Sequence, residues 1–549
     1  MKRKIMKRNG MCPICYIKKL FSRPSNVTDV FYDKKYENGA ALTPPMGWSS
    51  WNTFRNQIDD KLLLETAQAM KDAGLIEAGY KYINLDDCWH SSMRDEDGNL
   101  QGDLTRFPNG IPALVKDLNA FGLKVGIYSS NGTFTCEDLP ASLYHEKNDA
   151  YTFAKWGIEY FKYDFCHNEK ISKYAPLVYS ISIAPEGGRD ILTVGCEDAL
   201  LYGTAKLMPN KRLPGGMYIS GLDGASGKAV FKNVLVPKAG RYVLTINILK
   251  KGLYEKFLIA YANGEDYCRF EVPSQKPFNL TARYQAYIDL KEGLNTISLF
   301  NPVATRADSA MVQYQYMGKM LKEASKRVAK EEGRQEKPIV FSICEWGINK
   351  PWKWGATAGN LWRTTMDIRP WWKWMKMIYG RNVKLYLYSQ KGNWNDPDML
   401  EVGNGKLTPA QNRSHFSLWC MMCSPLILGN DLRNMKKEVL DIITNKQLIA
   451  IDQDELGIPA KRVKKGGIDV LARPLSGGRW AVCFFNKRGE KDFAFPVKKL
   501  TGDEYVKLPA SSSYTYKEVW TGEEGTFKEK ITGRVGKNDV KVFILQPVK

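Results

Sequence analysis

The stretch whose reading decides the fold is IEYFKYDFCH, residues 158–167. It opens with residues that suit a buried strand and closes on Lys162, Asp164, Cys166 and His167. A β-rich run ending on Lys-x-Asp reads as a strand delivering charge to the mouth of a barrel or an open sheet. Taken alone it equally suits an ordinary buried strand with a polar exit. The flanking segments decide between the two.

Toward the N-terminus lie three further candidate strands: PPMGWSSW (44–51), KYINLDD (81–87) and KVGIYSS (124–130). Toward the C-terminus come PIVFSICE (338–345), LWRTTMD (361–367), NWNDPDML (393–400) and SPLILGND (424–431). Helical patterns separate most of them. In 60–75, Leu63, Ala67, Met70 and Leu75 recur at helix spacing, and Gly74 and Gly79 mark the exit. Eight strands alternating with helices predict a (β/α)8 barrel, the TIM architecture within the α/β class.

The rhythm breaks once, between the fourth and fifth strands. The excess there is itself β-rich: ILTVGCEDALLY, AVFKNVLVPKAGRYVLTINIL, YEKFLIAYANGEDYCRFEV and QAYIDLKEGLNTISLF. Short alternating strands with turns such as PKAG and ANGED describe a β-sandwich inserted at 174–312. The barrel then occupies 37–173 and 313–455, with the helical pattern resuming at 314–333. After residue 455, GGIDVLARPL, GRWAVCFFN, KDFAFPV and DVKVFILQPV predict a C-terminal antiparallel β domain over 456–549. Residues 1–36 form a basic leader.

Composition excludes several classes. A chain of 549 residues is too long for one core, and 44% hydrophobic content with 15 Trp, 28 Tyr and 22 Phe excludes a disordered protein. The charge of +21 is spread along the chain without zinc-finger spacing, an RNA-binding aromatic signature or a phosphate loop, so no nucleic-acid partner is expected. No apolar run reaches about 18 residues, so no membrane span is expected. Eleven irregularly spaced Cys do not make a disulfide framework, and Cys12-x-x-Cys15 lacks the companions of a zinc site. The leader has no apolar core suited to a signal peptide, which points to a cytoplasmic location, with secretion or a periplasmic site as the alternative. Nothing in the sequence sets an oligomeric state.

The predicted strand ends carry Trp48, Asp86, Asp87, Tyr128, Lys162, Asp164, Cys344, Glu345, Trp346, Arg363, Asp367, Asp396 and Asp398. In a barrel these converge at one mouth, where such folds place their active sites. So many carboxylates would repel one another unless they bound cations or a hydroxyl-rich ligand. A magnesium site is the competing reading, but the chain has only four His, and only His167 closely follows a strand end. Two carboxylates with distinct partners, set among hydrogen-bonding groups and Trp, suit glycoside cleavage without a metal or cofactor.

Seven motifs in order make this specific. LTPPMGWSSWNTF, YINLDDCW, RFPNGIPAL with GLKVGIYS, KYDFC, FSICEWG, AGNLWRTTMDI and WNDPDML resemble those of glycoside hydrolase family 27, the clan D α-galactosidases. The resemblance covers about 41–172 and 313–549 and implies a retaining double displacement that releases terminal α-galactose from oligosaccharides or glycans. It implies Asp164 as nucleophile and Asp367 as acid/base. Lys162 would keep the nucleophile ionised, Asp86 and Asp87 would hold the 4- and 6-hydroxyls, and Trp48 would close the apolar face. Arg363 and Asp398 would contact the 2- and 3-hydroxyl side, Asp396 would orient backbone, and Tyr128 belongs to the same mouth. Cys136 and Cys166 match a family disulfide, whereas Cys88 lacks its usual partner. Cys344 and Trp346 resemble the pair that fills the space around the sugar's 2-position in plant-like α-galactosidases, favouring galactose over N-acetylgalactosamine; the Asp86–Asp87 pair favours a hexose over arabinopyranose. An α-N-acetylgalactosaminidase, a β-L-arabinopyranosidase or a catalytically silent sugar-binding barrel are the alternatives. The insert resembles carbohydrate-binding modules of family 35 more loosely, with Glu197 and Asp198 where such modules place a structural calcium.

Overall fold

The computed structural model describes residues 35–274 and 281–548. The leader up to residue 34, with Cys12 and Cys15, lies outside the described residues. The chain divides into two compact units, Lys170–Val312 and Lys35–Glu169 with Gln313–Lys549.

The larger unit holds the eight expected strands: β1 (Met46–Ser49), β2 (Tyr82–Asn84), β3 (Lys124–Ser130), β4 (Tyr160–Asp164), β5 (Val340–Ile343), β6 (Leu361–Arg363), β7 (Trp394–Asp396) and β8 (Leu426–Leu428). Each pairs in parallel with the next from β1 to β7, and β8 returns to pair with β1. Just past β7, Leu400 bridges Leu428 of β8. Its N–H donates to Ile427 O at 2.7 Å and its carbonyl accepts from Gly429 N at 3.1 Å, closing the ring. The strands are shorter than the apolar runs suggest, so Asp367 and Asp398 sit on loops just beyond β6 and β7.

Helices follow most strands: α1 (Asp60–Asp72), α2 (Gly110–Ala120), α3 (Glu146–Trp156), α4 (Arg306–Glu331), α5 (Trp372–Asn382) and α6 (Pro409–Met421). In α1, Leu62, Leu63, Ala67 and Met70 are buried, and the Asp59 side chain caps the N-terminus by accepting from Leu62 N at 2.7 Å. Two short 3-10 turns, Pro351–Lys353 and Gly355–Thr357, replace a helix between β5 and β6. Helix α4 starts at Arg306, ahead of the periodic stretch at 314. The cause is a start signal at Thr305, whose Oγ1 accepts from Asp308 N at 3.2 Å while Asp308 Oδ2 accepts from Thr305 N at 2.7 Å.

The barrel interior is layered. Tyr160, Val340, Leu361 and Trp394 pack as one apolar cluster. Two residues further along the same strands stand Lys162, Ser342, Arg363 and Asp396, on the same face by the period of a strand. Gly126 of β3 faces Asn84 and Tyr160, where a Cβ would collide with the Asn84 side chain.

The unit Lys170–Val312 is a β-sandwich. One sheet runs Asp266–Val272, Lys256–Ala262, Gly293–Phe300, Gly227–Val236 and Leu200–Gly203. The other runs Thr281–Leu290, Gly240–Leu249, Leu177–Pro185, Met217–Ser220 and Lys206–Pro209, with Leu192–Gly195 added on Leu177–Pro185. Phe231, Leu244, Ile246, Leu258, Ile297 and Leu299 fill the space between them. The strand Leu177–Pro185 is absent from the segments named above; Ile181 and Ile183 enter the core, and Ser180 and Ser182 alternate with them on the other face. Both are buried and both accept from Asn247 Nδ2, at 3.0 and 3.1 Å.

Hydrogen bonds tie the chain at each side of the insertion. Within the sandwich unit, Ile171 N donates to Ser309 Oγ at 2.8 Å and Asn301 Nδ2 to Ser172 O at 3.0 Å. Within the barrel unit, Asn168 Nδ2 donates to Gln313 Oε1 at 3.0 Å and Gln313 Nε2 to Glu169 O at 2.7 Å. The C-terminal strands form a six-stranded antiparallel sheet, from Lys461–Lys464 to Glu524–Phe527, and a separate antiparallel pair, Lys491–Pro496 with Lys530–Val535.

Candidate active site

Strand register sets the floor of the site. Tyr128 of β3 lies opposite Lys162 of β4, and Lys162 opposite Ser342 of β5. One step up, Ser130 faces Asp164. The Lys162 ammonium reaches Asp86 Oδ2 at 2.9 Å and Oδ1 at 3.2 Å and stands 5.1 Å from the Tyr128 ring centroid. Asp86 also accepts from Ser49 Oγ at 3.2 Å and Asp87 N at 3.0 Å. Burial alone would lower the Lys162 pKa, but Asp86 at hydrogen-bond distance overrides it and holds the ammonium charged.

Asp164 ends β4, and its Oδ1 accepts from Phe165 N at 2.9 Å. Tyr314 of α4 donates to the Asp164 carbonyl at 3.0 Å. The turn beyond is pinned by a disulfide between Cys136 and Cys166, whose Cα atoms are 5.2 Å apart. Burial raises the Asp164 carboxyl to about 6, against the pull of Lys162 and with a further push from Asp367.

Arg363, at the end of β6, organises the opposite wall. Its Nη2 lies 2.8 Å from Asp398 Oδ2, 3.0 Å from Asp367 Oδ1 and 3.2 Å from Thr365 O. Its Nη1 donates to Cys344 Sγ at 3.6 Å. Asp398 additionally accepts from Ile368 N at 2.7 Å and Met399 N at 2.8 Å, in a left-handed backbone at φ 85°. It therefore fixes both the guanidinium and the loop that carries Asp367. Asp396 accepts from Asp398 N at 2.8 Å, and burial raises its carboxyl to about 6. The Asp367 side chain is 60% exposed. What burial it has pushes its carboxyl up, but Arg363 and then Lys162 outweigh this and hold it below the usual range.

Asp86, Lys162, Cys344, Arg363, Asp396 and Asp398 line one cavity inside the barrel. Asp87 stands beside Asp86, its oxygens accepting from Cys88 N at 2.7 Å and Glu137 N at 3.1 Å, and burial raises it to about 6. Trp48 is fully buried, with its indole N–H on Asn430 O at 2.9 Å. Trp346 has a left-handed backbone, φ 56°, and packs edge-on against Phe165 at 6.4 Å. Cys88 is a buried free thiol. Glu197 and Asp198 are exposed on a 3-10 turn of the sandwich unit.

Among the described residues, the group with metal-ligand spacing is Cys136, Asp164 and Cys166, and two of its three donors are joined in the disulfide. Two groups escape the sequence reading. Glu401 is buried just past the last predicted strand residue of β7, accepts from Asn52 Nδ2 at 2.9 Å and Asn404 Nδ2 at 2.6 Å, and is raised by burial to about 7. Arg55 acts electrostatically on both Asp367 and Glu401. Its place in GWSSWNTFRN, just past the first predicted strand, was the available signal.

The family model described as "Alpha galactosidase A" matches residues 43–211 and 308–454, and that for the "Alpha galactosidase C-terminal beta sandwich domain" matches 465–545. The chain belongs to the α-galactosidase A family. Its relatives include an α-galactosidase A of Cellvibrio japonicus, 31% identical with 94% of each chain covered. Another is α-galactosidase 2 of Arabidopsis thaliana, 33% identical over 92% of this chain and 90% of the relative. The crystal structure of α-galactosidase I from Mortierella vinacea aligns with a TM-score of 0.64 at 26% identity, covering 93% of this chain and 98% of that one. Within this α-galactosidase family chain, the first matched segment runs past the fourth barrel strand into the sandwich unit.

Proposed function

We propose that the chain is a retaining, exo-acting α-galactosidase that removes terminal galactose from oligosaccharides by double displacement. The observation that carries this reading is the placement of Asp164 at the end of β4, two residues past Lys162, and of Asp367 on the loop past β6, 3.0 Å from Arg363. Asp164, behind Lys162, is the nucleophile that attacks C1. Asp367, on its loop, gives a proton to the leaving oxygen and later takes one from water. Retention requires the two carboxyls about 5–5.5 Å apart when substrate is bound. The anchored groups, Asp86 with Lys162 and Arg363 with Asp398, hold sugar hydroxyls. No step calls on a metal or cofactor.

Burial raises Asp164, while Arg363 and Lys162 lower Asp367, the reverse of the order this chemistry needs. Substrate reverses the order. A sugar in the cavity donates hydroxyl hydrogen bonds that favour ionised Asp164, and its leaving group covers Asp367 from water, which raises that carboxyl.

Asp164→Ala is expected to abolish turnover of any α-galactoside, and Asp367→Ala to spare only substrates with good leaving groups. Unchanged rates for either variant on a poor leaving group would sink the assignment. Proton NMR of the first-formed product should show α-galactose; initial β-galactose means inversion.

A further inference from the structure

The loop after Asp367 carries a second feature that the galactose pocket does not use. Arg369-Pro-Trp-Trp-Lys-Trp374 leads into α5, and Trp371 is 59% exposed. Neighbouring Met366 is also exposed, at 44%. The Arg369 guanidinium lies 5.7 Å from the Trp371 ring centroid and covers part of the ring. The Trp371 backbone is fixed in the first hydrogen bond of the helix, accepting from Met375 N at 3.0 Å.

This loop is held on both sides of Asp367. Trp374 Nε1 donates to the Asp367 carbonyl at 2.7 Å, and Asp398 Oδ2 accepts from Ile368 N. Pro370 restricts the residue before it to extended backbone and packs so closely on Gly405 that a Cβ there would meet it. Trp371 thus stands at a fixed place, four residues from the proton donor, a reach of at most about 14 Å along the chain. Trp371 is absent from the lining of the inner cavity, which Asp86, Lys162, Arg363 and Asp398 supply.

We propose that Trp371 is the platform for the leaving-group sugar, its indole stacking on the apolar C–H face of the pyranose joined to galactose. This rests on the α-galactosidase reading, which makes Asp367 the donor to the leaving oxygen, so that what adjoins Asp367 on the solvent side faces the leaving group. A rigid aromatic in this position contributes binding only when a ring is attached to the glycosidic oxygen. The ligand class is a pyranosyl aglycone, and neither a lone galactose nor a small leaving group reaches it.

The test compares melibiose, whose leaving group is a sugar ring, with α-galactosyl fluoride, whose leaving group is a single atom. For Trp371→Ala, with its thermal melting checked, the ratio of kcat/KM for melibiose to that for the fluoride should fall about tenfold, and Trp371→Phe should recover part of it. A ratio within twofold of the parent overturns the platform, as does a Phe variant no better than the Ala variant. Failure of the unaltered chain to turn over galactosyl fluoride overturns the α-galactosidase reading and the platform together. Turnover with an unchanged ratio overturns the platform alone.

Discussion

Replacing Lys162 by Met should both destabilise the barrel and shift its acid limb, because one ammonium serves two carboxylates. The Lys162 and Asp86 side chains are 21% and 3% exposed, with the charges 2.9 Å apart. Removing one member of such a pair strands the other and costs about 3–5 kcal/mol. Unfolding entropy near 60 °C is about 2.1 cal/mol/K per residue, so a unit of roughly 370 residues loses about 4–6 °C of Tm for that change. Asp86→Asn alone should cost a comparable amount by leaving the ammonium unpaired. The double variant Asp86→Asn/Lys162→Met should be no less stable than either single, since it leaves no stranded charge. Lys162 also lowers the Asp164 carboxyl, so kcat/KM of Lys162→Met should begin to fall at a higher pH than in the parent. Calorimetry of the four proteins gives the cycle, and pH profiles on galactosyl fluoride give the second readout. Additive losses of Tm together with an unmoved acid limb would refute the argument.

Asp164 has a folded pKa of about 6 against an ordinary 3.8, so the folded state binds the extra proton and ionised Asp164 destabilises it. That penalty is absent below pH 3.8 and complete above about 6, where Asp164→Asn should gain up to about 3 kcal/mol; equal stabilities at pH 7 would contradict it. For the same reason parent kcat/KM should decline below about pH 6, and a flat profile from there down to pH 4 would be evidence against Asp164 as nucleophile. Cys344→Ala, which removes a buried wall group beside Arg363, should admit nitrophenyl α-N-acetylgalactosaminide; a parent that already cleaves it as fast as the galactoside defeats the steric argument. Replacing residues 174–305 by a Gly-Ser bridge keeps α4 whole. It should affect raffinose and galactomannan unequally with nitrophenyl galactoside, whereas equal effects in a folded variant would leave the module structural.

The barrel was legible because its eight strands are apolar runs with polar ends, a pattern that survives without knowledge of contacts. Lys162, Asp164, Arg363 and Asp396 stood out because parallel strands place their C-terminal residues at one mouth. The boundary of α4 was hidden in Thr305 and Asp308, where the capping signal precedes the apolar periodicity. Leu177–Pro185 was passed over although Ser180 and Ser182 alternate with the core residues Ile181 and Ile183; the partner that buries both serines, Asn247, is 65 residues away from the nearer one. Glu401 and Arg55 could not be ranked, since only the folded chain shows that Arg55 acts on both Asp367 and Glu401. The double engagement of Asp398, as anchor for Arg363 and for the Asp367 loop, likewise comes from loop geometry that no spacing encodes.

The hydrogen bonds that tie Ile171 to Ser309 and Asn168 to Gln313 bear on how the chain matures on the ribosome. Strand β4 emerges with an unpaired edge and waits for β5, about 175 residues later, which at about 5–20 residues per second takes on the order of 10–35 s. An exposed edge held that long invites pairing with another chain. The sandwich finds all its strand partners within its own sequence, so it can complete itself during the wait. Once it has, its first and last residues are already neighbours, and β5 is tethered a short distance from β4. Closing a free loop of about 140 residues would cost about 4 kcal/mol of chain entropy. The finished module removes most of that cost before the second half of the barrel arrives.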